Sequence, residues 1–120
     1  PLTVAAVFGQ TDVAIALIEA GVELGGRNSQ GATPLHTAAL LCRAEIVRSL
    51  LDHGADRHVR DIYGNTPGDA VASPFEDVKS VYDTIGQSLA PLGLKLDYDQ
   101  IKTMRPQVFQ MLRYGAEDLV

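Results

Sequence analysis

Shifted by 33 residues, this chain matches itself, and no other feature restricts its fold as tightly. Pro34-Leu35 repeats Pro1-Leu2, and Pro67 repeats Pro34. Ala38-Ala39 repeats Ala5-Ala6, Gly54 repeats Gly21, and Gly64-Asn65-Thr66 stands where Gly31-Ala32-Thr33 stood. Glu23 returns as Asp56, and the apolar set Val13, Ala14, Leu17, Ile18 returns as Ile46, Val47, Leu50, Leu51. A fixed period of this length signals a stack of small units. Each is too small to bury its own apolar face, so neighbours must cover one another.

Within a unit the apolar set has the spacing i, i+1, i+4, i+5, that of one helix face. Asp12 and Glu45 stand just before it, where a negative side chain suits a helix N-terminus. Gly21 and Gly54 stand just after it, where a left-handed cap favours glycine. Thr33-Pro34 and Thr66-Pro67 read as an N-cap followed by proline in the first helical turn. A unit is therefore a helix, a tight turn, a second helix and an extended excursion, turned back on itself at Gly31 and Gly64.

These residues resemble the ankyrin repeat family over about residues 1–86. Gly31-Ala-Thr-Pro-Leu-His-Thr-Ala-Ala39 is similar to its Thr-Pro-Leu-His-x-Ala signature. Glu45-Ile-Val-Arg-Ser-Leu-Leu-Asp-His-Gly-Ala-Asp56 is similar to the family's second helix and the loop after it. Arg60-Asp-Ile-Tyr-Gly-Asn-Thr-Pro67 is similar to the hairpin leading into the next repeat. The resemblance implies an all-α solenoid of helix-turn-helix repeats at 1–33, 34–66 and 67–86, with β-hairpin loops along one edge. It also implies that His36 is a structural bond-maker between neighbouring turns.

Three departures shape the expectation. Cys42 replaces the glycine that Gly9 retains. The third repeat has Gly68 and Asp69 in place of Leu and His, and its second helix, with Val78, Val81, Tyr82 and Ile85, fits with one residue deleted and Gly86 as its cap. Such degeneracy suits a terminal repeat. Conversely, Val13 to Ile18 is apolar all round, whereas a first repeat facing water should be polar outside. Residues 1–33 are therefore expected to be an interior repeat of a longer protein or to pair with another copy. Residues 87–120 do not repeat. There Asp97 to Met104 reads as a short helix with Asp97 as its cap, and Pro106 opens another, ended by Gly115. This tail is expected to cap the stack, a separate docking element being the alternative, with Glu117 to Val120 frayed.

The net charge of −5 argues against a general nucleic-acid or anionic-membrane surface. No apolar run approaches the length of about 20 residues that a membrane helix needs. One cysteine allows no internal disulfide; with no leader pattern at the start, a cytoplasmic setting is the default expectation. His53 and His58 among Asp52, Asp56 and Asp61 resemble a metal cluster in composition alone, without the fixed spacing zinc requires. Neither a phosphate-binding glycine loop nor an anchored nucleophile set occurs. The expectation is no enzyme, no metal and no cofactor.

What remains is protein binding, through positions that the repeat does not fix. By resemblance these are Asn28, Ser29, Gln30, Ala32, Asp61, Ile62, Tyr63 and Asn65 on the hairpins, and Val4, Val7, Phe8, Thr37, Leu40, Leu41, Ala70 and Ser73 on the first helices. Phe8, Ser29, Gln30, Thr37, Leu40, Leu41, Ile62, Tyr63 and Asn65 are the candidate contacts. Tyr63 is the aromatic anchor, and Phe8, Leu40 and Leu41 form an apolar strip. The expected partner is another protein or peptide segment, the chain itself being a monomer or weak homodimer. Two other readings stand beside this one: a regulatory or targeting portion of a larger enzyme or secreted effector, and a homotypic assembly unit.

Overall fold

The computed structural model describes residues 2–114. Gly115 as a helix stop and the fraying of Glu117 to Val120 lie outside the described residues. The chain runs through α1 (Leu2–Val7), α2 (Thr11–Glu19), α3 (Pro34–Leu40) and α4 (Ala44–Asp52). A 3-10 turn (Pro67–Val71), α5 (Phe75–Leu89), a second 3-10 turn (Ala90–Leu92) and α6 (Tyr98–Tyr114) follow.

The first two units pack as the period requires. In α4, Ile46, Val47 and Leu50 are fully buried. They are covered by α2 on one side and α6 on the other. In α2, Ala14 and Ile18 are buried, but Val13 is 51% exposed where its counterpart Ile46 is fully covered. The same position thus differs between units because α4 has a neighbour on each side.

Each helix pair turns through a left-handed residue, Gly9 at φ 68° and Cys42 at φ 56°. At Gly9 a Cβ would lie 2.9 Å from Cζ of Arg43, so glycine also makes room for that guanidinium. Arg43 uses the space to donate to the carbonyls of Ala6 and Val7, 3.2 and 2.8 Å away, at the open C-terminus of α1. At the corresponding end of α3, Tyr82 donates to the Leu40 carbonyl at 2.5 Å and Gln100 to that of Cys42 at 3.3 Å. Different residues thus meet one requirement in successive units. Cys42 holds a conformation that costs a side-chain-bearing residue about 1–2 kcal/mol. Its thiol is 1% exposed, with Sγ 3.7 Å from the Ile101 carbonyl.

The loops between units differ from the expected β-hairpins. Among the described residues there is no strand. Each loop is a tight turn closed by an Asx side chain. Asn28 Oδ1 accepts from the N–H groups of Gln30 and Ala32, and Asp61 Oδ1 from those of Tyr63 and Asn65. Ile62 N–H donates to the Gln30 carbonyl at 2.9 Å, which links one tip to the next. Backbone bonds from Asn28 N–H to the Ala32 carbonyl and from Asp61 N–H to the Asn65 carbonyl, both 2.9 Å, close the same turns but do not extend into a strand ladder.

The third unit departs furthest, and the tail explains how. Gly68 occupies the place of Leu35, which is 1% exposed. A Cβ at Gly68 would lie 3.5 Å from Cβ of Leu112, so the α6 side chain takes the space that a leucine at position 68 would need. The first helix shortens to the 3-10 turn. Helix α5 runs through Gly86 to Leu89 instead of stopping at a Gly86 cap. Of its apolar positions Tyr82 is fully buried, while Val81 is 43% exposed and Val78 and Ile85 are half-buried.

The two tail helices expected on either side of Pro106 form one helix, α6. Proline removes one backbone donor. Pro106 and Lys102, four residues earlier, are both exposed, so water can reach the carbonyl left over. Meanwhile Ile101, Arg105, Val108, Met111 and Leu112 form a single buried stripe that continues past the proline. Asp97 caps the start, accepting from Gln100 N–H at 3.1 Å.

The tail is fastened by a buried cation. Arg105 is 3% exposed. It donates to the carbonyls of Ala70 at 3.2 Å and Ser73 at 2.5 Å, and to the Tyr82 hydroxyl at 2.7 Å. Tyr82 in turn donates to Leu40, so one chain of bonds ties α6, the third unit and α3 together.

Candidate functional site

The turn tips, α3, the 3-10 turn and α5 enclose a groove of about 590 Å³. Its floor is the exposed side of α3, at Thr37 and Leu40. Gln30, Tyr63 and Asn65 form the tip side, and Val78 and Val81 form the opposite wall.

His36 holds the tip side in place. Its Nε2 lies 2.9 Å from the Asn65 carbonyl, which can only accept, so Nε2 carries the hydrogen. Nδ1 then accepts from the Thr33 N–H at 3.1 Å and the Thr33 hydroxyl at 2.9 Å. One ring therefore closes the N-cap of α3 and reaches the next tip, the bond-making role that the resemblance implied. In the third unit Asp69 takes over the local half alone, accepting from Thr66 N–H at 2.8 Å.

Of the nine candidate contacts, Gln30, Thr37, Leu40, Tyr63 and Asn65 line this groove. Tyr63 is 68% exposed. Ser29 and Ile62 are exposed on the tips but do not line the groove. Leu41 does not face it either: it is 2% exposed, inside the core. α3 ends at Leu40, the chain turns at Cys42, and the tail closes over this corner through Gln100 and Ile101. Phe8, its counterpart one period earlier, is half-buried and lines a separate hollow with Val4, Gln10, Leu92 and Gly93. The apolar strip expected from Phe8, Leu40 and Leu41 is therefore replaced by Leu40, Val78 and Val81.

Val78 and Val81 were missed because their spacing on α5 reads as core. Asp69 and Thr66, also in the lining, were passed over as a degenerate helix start. Their signal was the exchange of His36 for Asp69, which puts a carboxylate where the second unit has an imidazole.

Among the described residues no group of three or more His, Cys, Asp or Glu is placed to hold a metal ion. His53 is engaged with the Ser49 carbonyl, and Asp56 with the His58 N–H. Burial pushes the Cys42 thiol up to about 11, away from the range of a reactive thiolate, despite the Arg105 and Arg43 charges acting the other way. Among the described residues no helix is long and apolar enough to cross a membrane.

Comparison with known proteins agrees with the geometry. The family model for ankyrin repeats (3 copies) matches residues 1–67. An ankyrin repeat-containing protein of Schizosaccharomyces pombe is 31% identical over 92 residues, covering 77% of this chain and 42% of that protein. NF-kappa-B inhibitor alpha of Gallus gallus is 48% identical over 44 residues, 37% of this chain and 14% of that protein. Protein phosphatase 1 regulatory subunit 27 of Mus musculus is 30% identical over 78 residues, 65% of this chain and 51% of that protein. The matched stretches span about half or less of these relatives. With its repeats, its inter-unit histidine and a family match over more than half its length, the chain belongs to the ankyrin repeat family, whose members generally mediate protein–protein interaction.

Proposed function

We propose that this chain docks a segment of another protein in the groove between the turn tips, α3 and α5. The observation that carries the reading is the lining: positions left free by the repeat supply the exposed Tyr63, across the groove from the apolar Val78 and Val81. Aromatic residues over an apolar floor are the usual anchors of such contacts. The docked segment supplies specificity and the stack supplies a rigid frame, with no cofactor and no reaction. The names of two relatives, an inhibitor and a regulatory subunit, support a regulatory use of that docking within a larger protein.

A photo-crosslinking residue tests this in the protein's own cells. Placed at Tyr63 it should give a discrete adduct with a partner; placed at Arg48, in the separate hollow on α2 and α4, it should not. Equal adducts from both positions would reject the groove as the docking site.

A further inference from the structure

The second and third units solve the same local problem with different charge, and the difference falls in the groove. Asn28 and Asp61 are one period apart and close identical turns. Asparagine suffices for the turn, so the charge at Asp61 is surplus to folding. Both Asp61 bonds use Oδ1, and Oδ2 makes none among the described residues. Asp69 likewise bonds Thr66 through Oδ2 alone. Both carboxylates line the groove, and no Lys or Arg does. Arg27 and Arg60 bond the backbone carbonyls of Arg60 and Gly64, and the buried Arg105 is held by the carbonyls of Ala70 and Ser73, so none of the three belongs to the lining. The acidic and basic side chains of the lining are therefore of one sign, with an apolar wall at Leu40, Val78 and Val81.

Resting on the docking reading above, we infer that the occupant is an extended basic segment of a partner protein. A Lys or Arg of that segment sits beside Asp61 and Asp69, in reach of the Tyr63 ring, and an aliphatic neighbour packs on Leu40, Val78 and Val81. An acidic segment would meet the two like charges of the lining, which selects against it as well as for the basic one. Tyr63 adds attraction for a cation over its ring face.

The test is selection from a library of displayed random dodecapeptides on the whole chain, followed by affinity measurements on the enriched peptides. The variants are Asp61→Asn, which copies Asn28, Asp69→Asn, which keeps an acceptor for Thr66, and Tyr63→Ala. Circular dichroism confirms that each folds. Enriched peptides should carry a Lys or Arg near an aliphatic residue. Their affinity should fall roughly three- to tenfold in Asp61→Asn/Asp69→Asn, the size expected for two exposed charge pairs, and should weaken with added salt. Acidic or uncharged peptides whose binding is lost in Tyr63→Ala would overturn the basic preference and leave docking in place. No enrichment, or peptides indifferent to all three variants, would overturn both.

Discussion

Replacing Arg105 with methionine should loosen the tail's hold on the repeats and lower the stability of the whole stack. The side chain is 3% exposed and makes bonds to the Ala70 carbonyl, the Ser73 carbonyl and the Tyr82 hydroxyl. Hydrogen bonds from a charged donor contribute about 1.5–3 kcal/mol each. Two of the acceptors belong to residues that are half-buried or exposed, so water can replace the guanidinium there. Tyr82 is fully buried and keeps its own bond to Leu40, but loses its donor. Methionine recovers part of the packing. The net loss is about 2–4 kcal/mol, a large share of the total for a domain of this size. Urea unfolding followed by far-ultraviolet circular dichroism reads it directly. Arg105→Lys should recover less than half, because one ammonium cannot reach all three acceptors at once. A midpoint for Arg105→Met equivalent to less than 0.5 kcal/mol of change would refute the role assigned to the guanidinium.

Gly68→Leu should cost about 1–3 kcal/mol by overpacking against Leu112, and Leu112→Ala in the same chain should restore part of it; additive losses in a double-mutant cycle would show that the two positions do not compete for space. His36→Ala should cost about 1–3 kcal/mol by opening the α3 cap and freeing the Asn65 carbonyl, read by chemical denaturation. Burial holds the Cys42 thiol up to about 11 against an ordinary 9.0, so it stabilises the fold below pH 9 and that contribution drains away as pH rises toward 11; Cys42→Ala should flatten this alkaline loss, and native Cys42 should react with Ellman's reagent only after unfolding. Tyr63→Ala should weaken partner binding by about 1–3 kcal/mol with the unfolding midpoint unchanged.

The 33-residue period made the first two units legible because, Cys42 apart, their helix faces and turns are repeated by type. It failed where the tail intervenes. Leu112 fills the space above Gly68, and that competition between distant segments leaves no mark in local spacing. Pro106 reads as a helix start by itself. Its helix persists because the buried stripe from Ile101 to Leu112 outweighs one missing bond on the wet side. For the site, Tyr63, Leu40 and Asn65 were readable as positions the repeat does not fix. Leu41 is buried because the tail covers the end of α3, and Val81 reaches the groove because α5 turns Tyr82 inward, neither of which local spacing records.

Amide chemical-shift mapping of the chain during titration with a selected dodecapeptide tests the groove most directly. The account predicts shifts at Thr37, Leu40, Tyr63, Asn65 and Val81 with Arg48 and Asp52 unmoved. Shifts concentrated on α2 and α4, with the turn tips silent, would contradict it.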